Sequence, residues 1–285
     1  MTDYSPVAQD TVAVITGAAG GIGLGIAKAC IARGMRVVIA DIDGARAAEA
    51  ADFAEAGDNS RIIATGCDVR KLQDVERLRD VTLDTFRRID LVCNNAGIGL
   101  TRAVADTSAS DWDLVLDVNL RGVVNGVQTF LPVLRDQGFG HLSATASLSG
   151  LIADPLLAAY NASKFAVVGV MESIALELAA AGESVTCSVL CPGPVATDLI
   201  ASSNKQLADA GSADAADSVE AQAVGEYLAA GMHPDQVGSF VVEAISRGDF
   251  WLLTHPEDTL SVMEPRFESQ KQGKLYLAED WLEQR

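Results

Sequence analysis

Short runs of continuously apolar residues alternate along the chain with longer segments in which apolar residues recur at helical spacing. The apolar runs lie at residues 11–16, 36–40, 61–65, 90–93, 141–145, 185–190 and 250–254. The helical segments lie at residues 22–33, 45–56, 71–87, 110–137, 155–181 and 233–247. Strands that are apolar at every position are buried on both faces, as in a parallel sheet. The pattern predicts an α/β fold, a Rossmann-like doubly wound seven-stranded parallel sheet with helices on both faces.

Two segments depart from this alternation. Between Thr197 and Ile245 the chain carries eight acidic residues and one basic residue, Lys205, with few large apolar side chains. Open α/β sheets bind ligands at strand ends, so we expect residues 198–232 to form a partly helical substrate lid; an ordinary surface excursion is the alternative. We expect the apolar tail at 256–285 to pack on its own subunit or on a neighbour. Its large side chains are Met263, Phe267, Leu275, Tyr276, Leu277, Trp281 and Leu282. No boundary divides the chain, so we expect one domain over residues 1–285.

Composition and charge disfavour several classes of function. Of the 285 residues, 49% are hydrophobic and 21% are charged, as in folded globular proteins. The net charge of −18 disfavours binding to nucleic acid and to an anionic membrane. There is no signal-peptide pattern and no apolar run of about 18 residues. The five cysteines form no CxxC pair and the three histidines lack metal-ligand spacing, so we expect a cytoplasmic protein without disulfides or a metal.

A glycine-rich turn follows the first apolar run, with the sequence TGAAGGIG at residues 16–23. So tight a turn needs glycine where a Cβ would clash and where a phosphate must approach the backbone. The free N–H groups and the dipole of the following helix bind a diphosphate. The turn therefore predicts a dinucleotide site at Gly17, Gly21, Ile22 and Gly23.

An acidic residue, Asp41, ends the second predicted strand. A carboxylate at this position accepts hydrogen bonds from the adenosine ribose and repels a 2′-phosphate. No Arg or Lys lies in the glycine turn or directly after Asp41, so NAD is favoured over NADP. A helix cap is the alternative role for Asp41. Further cofactor-binding residues are expected at the ends of the third and fourth strands, at Asp68, Val69, Asn95, Ala96 and Gly97.

A second group of polar residues lies near the fifth predicted strand. Tyr160 and Lys164 are four residues apart and share one face of a helix. A nearby ammonium favours the phenolate, so we expect Lys164 to lower the pKa of Tyr160. Ser147, thirteen residues before Tyr160, could hold a substrate oxygen. A Tyr–Lys pair alone is a common surface contact, and only its conjunction with the glycine turn favours a catalytic role.

Together these motifs resemble those of the short-chain dehydrogenase/reductase family, in its compact single-domain form. TGAAGGIG resembles the family's TGxxxGxG, and residues 94–97 resemble its NNAG. Residues 160–164 resemble its YxxxK, and PGPVAT at 192–197 resembles its PGxVxT. The resemblance spans roughly residues 11–198 and resumes at the last strand.

The resemblance implies hydride transfer between NAD and a secondary alcohol or ketone. Tyr160 would exchange the proton, while Lys164 would lower its pKa and bind the nicotinamide ribose. Ser147 would orient the substrate oxygen, and Asn119 would hold a water that relays protons. The PGxVxT motif would bind the nicotinamide end of NAD through Pro192, Gly193, Val195 and Thr197.

The substrate class is less specified. The last strand and its THP ending, at 250–256, resemble a branch that includes dehydrogenases of benzylic (C-alpha) alcohols in lignin-derived aryl ethers. The predicted strand ends carry apolar side chains, for which core packing is the alternative: Ile98, Leu100, Leu148, Ile152, Leu156, Leu157, Pro194, Leu199, Ile200 and Met232. We expect a mid-sized apolar or aromatic secondary alcohol or its ketone. The acidic lid should repel phosphorylated, CoA-linked or carrier-linked substrates.

Alternatives remain for the activity and the assembly. One is an NADH-dependent ketoreductase working in reverse, and another is a non-catalytic NAD-binding regulator. The intact set of Asn119, Ser147, Tyr160 and Lys164 disfavours the regulator. The family's glycine-rich last strand and short tail are absent, which leaves homodimer and homotetramer open, with a dimer expected through the fifth and sixth helices.

Overall fold

The computed structural model describes residues 4–54, 60–212 and 219–276. Its parallel sheet has the strand order β3-β2-β1-β4-β5-β6-β7. These strands are β1 (Val12–Thr16), β2 (Arg36–Asp41), β3 (Ile62–Gly66), β4 (Leu91–Asn94), β5 (His141–Thr145), β6 (Thr186–Cys191) and β7 (Trp251–Leu253). The predicted α/β fold is confirmed, and each predicted strand agrees with the observed one to within one residue at either end.

Helices cover both faces of the sheet. They are α1 (Gly21–Ala32), α2 (Gly44–Ala54), α3 (Leu72–Phe86), α4 (Ala109–Leu116), α5 (Gly122–Gln137), α6 (Ala158–Ala181), α7 (Leu199–Asp209), α8 (Val219–Ala229), α9 (Pro234–Arg247) and α10 (Pro256–Lys271). The core on one face includes residues of α1, α2 and α9, and the core on the other includes residues of α3, α4, α5 and α6. No helix in the described ranges combines the length and the hydropathy needed to cross a membrane.

Strand β1 shows why the apolar runs do not alternate. Val12 and Val14 pack into the core beneath α3, α5 and α6, whereas Ala13 and Ile15 pack into the core beneath α1 and α9. Successive side chains of a strand point to opposite faces, so a strand with helices on both sides must be apolar throughout. The chain also crosses the sheet from β3 to β4, which lies next to β1. This reversal opens a crevice at the carboxyl ends of β1 and β4.

The predicted continuous helix at 110–137 is wrong in one respect. A π-helical turn at Asp117–Arg121 separates α4 from α5. Beside that turn, a Cβ on Gly122 would lie 2.7 Å from Cγ2 of Val69, so α5 passes very close to the loop after β3. The wider turn also lets Asn119 bond across to the backbone after β4, because its Nδ2 donates to the carbonyl oxygen of Ile98 over 2.9 Å. Single π-turns of this kind are frequent at functional sites.

The predicted helix at 155–181 begins later than expected, at Ala158. Leu156 has a φ of 62°, a left-handed conformation that a helix cannot include. The three residues after Asp154 therefore form a separate turn before α6.

The segment after β6 forms α7 and α8, and residues 213–218 lie outside the described ranges. Two hydrogen bonds join the ends of this segment. The N–H of Ala196 donates to the carbonyl oxygen of Met232, and the N–H of Met232 donates to that of Pro194, each at 3.0 Å. The described part of this segment is partly helical, as predicted.

The tail begins with α10, which packs only in part. Met263 contacts the core, and the guanidinium of Arg266 lies 5.5 Å from the ring centre of Phe165. Phe267 and Leu275 are 60% and 83% exposed, so they do not pack on this subunit, and their packing on a neighbouring subunit stays a prediction. Tyr276 is half-buried. The remaining predicted packing residues, Leu277, Trp281 and Leu282, lie outside the described residues.

Candidate active site

A cavity of about 300 Å³ lies at the carboxyl ends of the strands, between the glycine turn and α7. Most of the predicted site residues line it: Gly17, Gly21, Ile22, Asp41, Asp68, Val69, Asn95, Ala96, Gly97, Ser147, Tyr160, Lys164, Pro192, Gly193, Val195 and Thr197. Gly23 and Asn119 do not line it. Motifs spread over 180 residues of sequence therefore meet in one place, because parallel strands end at the same edge of the sheet.

The glycines of the turn are required by close contacts and, at Gly17 and Gly21, by positive φ angles. Gly17 has a φ of 63°, and a Cβ there would lie 2.8 Å from Cα of Ala96. Gly21 has a φ of 52°, and its Cβ would lie 3.2 Å from Cγ2 of Thr197. A Cβ on Gly23 would strike the carbonyl oxygen of Gly17 inside the turn. Gly23 thus packs the start of α1 beneath the turn. Its contact with a cofactor stays a prediction.

Hydrogen bonds from Asn95 hold the turn against the neighbouring strands. The Thr16 hydroxyl accepts from the N–H groups of Asn95 and Ala96, over 3.0 and 3.1 Å. Nδ2 of Asn95 donates to the carbonyl oxygen of Thr16, and its Oδ1 accepts from the hydroxyl of Thr145, each over 3.0 Å. One amide side chain thereby joins the ends of β1, β4 and β5, which fixes the floor of the cavity.

Asp41 faces the cavity and also secures the glycine turn. Its Oδ2 accepts from the N–H of Ala19, and its Oδ1 accepts from the N–H of Asp43, over 3.1 Å each. The N–H groups of Ala45 and Arg46, at the start of α2, bond instead to Oδ1 of Asp43. Asp43, and not Asp41, therefore caps the start of α2. Each oxygen of Asp41 keeps further lone-pair capacity for a ligand hydroxyl.

Asp68 is already paired within the protein. Burial acts to raise the pKa of Asp68, but hydrogen bonds from the Arg70 guanidinium, with help from Lys71, outweigh it and lower that pKa. The two bonds from Arg70 measure 2.8 Å each. Asp68 therefore lines the cavity as a neutralised carboxylate rather than as a free negative charge.

Tyr160, Lys164 and Ser147 lie together at the inner end of the cavity. Nζ of Lys164 donates to the carbonyl oxygen of Thr145 over 2.8 Å and lies 5.5 Å from the centre of the Tyr160 ring. The Ser147 hydroxyl accepts from the N–H of Ser149 over 3.1 Å and also bonds to Tyr160. The arrangement offers a phenol, a hydroxyl and an ammonium to one small volume.

The expected lowering of the Tyr160 pKa by Lys164 is wrong, because burial raises that pKa. Burial raises the pKa of Tyr160, the Ser147 hydrogen bond opposes that rise, and the Asp154 carboxylate adds to it. Burial also lowers the pKa of Lys164 to about 8. The Lys164 ammonium bonds to the Thr145 carbonyl oxygen and lies over the face of the ring, and burial is the dominant effect on the Tyr160 pKa.

Asn119 is fully buried behind the cavity. Its Oδ1 accepts from the N–H of Ile98 over 2.8 Å, and its Nδ2 donates to the Ile98 carbonyl and to the Ser163 hydroxyl. A Cβ on Gly97 would lie 3.3 Å from this Oδ1 and 3.4 Å from Nζ of Lys164. Both amide hydrogens are therefore used, and only the second lone pair of Oδ1 is left for a water.

Several residues around the site were not predicted from the sequence. Asp154, in the loop before α6, accepts from the Ser149 hydroxyl over 3.1 Å and interacts with both Tyr160 and Tyr227. Arg46 lines the cavity from α2, and Lys205 lines it from α7. A charged residue within an otherwise apolar loop was the available signal for Asp154.

The predicted apolar wall is only partly correct. Leu199 lines the cavity, joined by Val118 and Leu228, which were not predicted. Ile98 and Leu100 are core residues, 1% and 4% exposed, so the core-packing alternative holds for them. The other predicted wall residues are half-buried: Leu148, Ile152, Leu156, Leu157, Pro194, Ile200 and Met232.

Comparison with known proteins gives consistent matches. The family model described as short chain dehydrogenase matches residues 11–208. A "CLA biosynthesis dehydrogenase/reductase" from Lactiplantibacillus plantarum is 32% identical over 259 residues, 87% of this chain and 89% of that protein. A D-beta-hydroxybutyrate dehydrogenase from Cupriavidus necator is 35% identical over 188 residues, 66% of this chain and 72% of that protein. The crystal structure of a short chain dehydrogenase/reductase from Burkholderia phymatum with NAD superposes with a TM-score of 0.89 at 32% identity, covering 95% of this chain and 97% of that one.

Proposed function

Because the chain belongs to the short chain dehydrogenase family, a family of oxidoreductases, we propose that it interconverts a secondary alcohol and its ketone by NAD-dependent hydride transfer. One observation carries the proposal. Ser147, Tyr160 and Lys164 line the same cavity as the glycine turn, so a proton-transfer group and a dinucleotide site share one space. A protein that only bound NAD would need no such group.

The residues present fit NAD. Gly17 and Gly21 line the cavity at the start of α1, and a Cβ on either would press against Ala96 or Thr197, so this turn can form only with glycine. The N–H groups there would bind the diphosphate, and Asp41 would accept from the adenosine ribose. The remaining predicted contacts, from Asp68 to Thr197, line the same cavity. The NAD complex of the Burkholderia relative supports this choice. When bound, the cofactor supplies the hydride acceptor for oxidation and, reduced, the donor for reduction.

Tyr160 would move the proton. In the oxidative direction its phenolate oxygen takes the proton of the substrate hydroxyl, and in the reductive direction its hydroxyl returns it. Ser147 would hold the substrate oxygen, since its hydroxyl already bonds to Tyr160. Lys164 would hold the nicotinamide ribose and keep a positive charge beside the phenol ring. Asn119 would hold a relay water through the free lone pair of Oδ1.

For the substrate we propose a mid-sized apolar or aromatic secondary alcohol or the matching ketone. The apolar side chains of Val118, Leu199 and Leu228 line the cavity and support this class. Residues 198–232 would act as the substrate lid, which fits the position of α7 beside the cavity. The branch of benzylic aryl-ether alcohol dehydrogenases remains a prediction within this class.

The test is NADH formation from NAD over a panel of alcohols, run in parallel with Tyr160→Phe. The panel spans benzylic aryl-ether alcohols, hydroxysteroids, alicyclic alcohols and 3-hydroxybutyrate, the last because of the Cupriavidus relative. Turnover of an apolar member that disappears in Tyr160→Phe supports the proposal. A preference for 3-hydroxybutyrate contradicts the substrate class. If alcohols with NAD and ketones with NADH both give nothing while NAD binds, the non-catalytic regulator takes its place.

We also propose a homodimer formed through α5 and α6. A groove between these helices is lined mostly by small and apolar side chains, among them Val124, Val127, Ala166, Val170 and Ile174. Val127→Arg should then lower the mass measured by light scattering from that of a dimer to that of a monomer. A tetrameric mass in the unaltered protein would favour the homotetramer.

The cytoplasm remains the proposed location. All five cysteines are buried free thiols, which suits a reducing compartment.

A further inference from the structure

Two cationic side chains with no assigned role line the cavity, Arg46 on α2 and Lys205 on α7. Arg46 reaches the glycine turn, because a Cβ on Gly20 would lie 3.5 Å from its Nη2. Asp198, Ser202 and Lys205 also line the cavity, at intervals of about one helical turn. One face of α7 is therefore directed at the same space as Arg46.

The cavity is rich in carboxylates, and the expected ligand is also negatively charged. The chain carries a net charge of −18, and a dinucleotide brings two more negative charges on its diphosphate. Asp41, Asp43 and Asp198 line the cavity as carboxylates. The third cation of the cavity, Lys164, is buried and bonded to Thr145, and burial lowers its pKa to about 8.

Arg46 and Lys205 remain as solvent-accessible positive charges. Both side chains are exposed, and within the described residues neither takes part in an ion pair, unlike Arg70 and Lys71 beside Asp68. An unpaired guanidinium and an unpaired ammonium next to a glycine cradle suit a phosphate ligand, because charge-assisted hydrogen bonds to phosphate are stronger than neutral ones.

We propose that Arg46 and Lys205 form a two-cation clamp on the phosphates of the dinucleotide, and that Lys205 thereby ties α7 to the bound cofactor. This inference rests on the proposed function only in taking a dinucleotide as the ligand. The glycine turn binds the diphosphate from below through backbone N–H groups, and the clamp adds two side-chain charges from α2 and from α7.

The test uses two probes on the full chain, ADP-ribose, which carries the diphosphate, and adenosine, which does not. Their Kd values are measured by calorimetry for the unaltered protein, Lys205→Gln and Arg46→Gln. Each substitution should raise the Kd of ADP-ribose about 3- to 10-fold, the range for a solvent-accessible charge-assisted contact. The Kd of adenosine should not change. Lys205→Arg should retain the affinity. Lys274→Gln, which changes the net charge equally in the exposed tail, should bind both probes like the unaltered protein.

Salt provides a second measurement. Raising the ionic strength from about 0.05 M to about 0.5 M should weaken the binding of ADP-ribose more in the unaltered protein than in Lys205→Gln. ADP-ribose Kd values that stay within twofold in both variants would overturn the clamp. An equal rise in the Kd of adenosine would also overturn the clamp, since the substitutions would then act through the fold. If ADP-ribose does not bind the unaltered protein at all, the proposed cofactor fails together with the clamp.

Discussion

The ammonium group of Lys164 donates a hydrogen bond to the carbonyl oxygen of Thr145, 2.8 Å away at the end of β5. This bond holds Lys164 over the ring of Tyr160, with Nζ 5.5 Å from the ring centre. Burial destabilises the charged form of Lys164 and lowers its pKa from 10.5 to about 8. Keeping the ammonium in the site therefore costs free energy of folding.

Removing that charge should stabilise the protein while abolishing its activity. Lys164→Met replaces a buried ammonium by an apolar side chain of similar length, and we expect about 1–2 kcal/mol of added stability at neutral pH. The unfolded state binds more protons than the folded state between about pH 8 and 10.5, so the stability of the unaltered protein rises over that window and the advantage of Lys164→Met shrinks. Denaturant unfolding across this pH range measures it. Lys164→Arg, which keeps the charge, should show no gain.

Asp41 should set the preference for NAD over NADP. Asp41→Asn removes the negative charge that opposes a 2′-phosphate, so the ratio of the two kcat/KM values should narrow by about tenfold or more. Asp80→Asn makes the same charge change on α3, at a side chain that is 59% exposed and paired with Arg79, and should leave the ratio as it was. Equal ratios for Asp41→Asn and the unaltered protein would assign specificity to another group.

Asp154 should control the pH dependence of the reaction. Its carboxylate adds to the rise that burial causes in the pKa of Tyr160, so Asp154→Asn should lower that pKa. Oxidation needs the phenolate, and therefore the midpoint of the acid limb of log(kcat/KM) should move to lower pH. Asp106→Asn, at an exposed position before α4, is the matched control. A midpoint that stays fixed, or moves to higher pH, would remove Asp154 from this role.

His141 should make the fold sensitive to acid. It is 2% exposed and bonded between the hydroxyls of Thr186 and Ser188, over 2.8 Å each. Burial lowers the pKa of His141 to about 3 from 6.5, so the unfolded state takes up this proton first as the pH falls. Stability should decline below about pH 6.5, by up to about 1.4 kcal/mol per pH unit from this one group.

His141→Gln tests the assignment. Glutamine has no titrating group, so the free energy of unfolding should fall less steeply between about pH 6.5 and 3, even though the substitution lowers stability at neutral pH. Parallel slopes for the two proteins would show that carboxyl groups, rather than His141, dominate acid unfolding.

The sheet was predictable because its pattern has a simple physical cause. A strand such as β1, buried on both faces, must be apolar at every position, and that requirement is visible in sequence. The π-turn before α5 was not visible, since it depends on how closely Gly122 approaches Val69 across the fold. The left-handed Leu156, with φ 62°, likewise depends on the path of its loop and not on a residue type that favours that conformation.

The candidate site divides in the same way. Gly17, Ser147 and Tyr160 line one cavity because each follows or faces the carboxyl end of a strand, and parallel strands bring those ends together. Arg46 and Lys205 were not assigned, because a side chain in the first two turns of a helix reaches the cavity only if the helix is oriented to direct it there. The direction of α7 is a tertiary property, whereas the glycine turn is a local one.

Hydride transfer is tested directly by following hydrogen from substrate to cofactor. An alcohol identified in the panel is prepared with deuterium on its carbinol carbon and incubated with NAD, and the reduced cofactor is analysed by mass spectrometry. We expect deuterium in the reduced cofactor for the unaltered protein, and almost no labelled product for Tyr160→Phe, which should still bind NAD. Reduced cofactor without the label, or label transfer at an undiminished rate in Tyr160→Phe, would contradict hydride transfer with Tyr160 as its proton donor and acceptor.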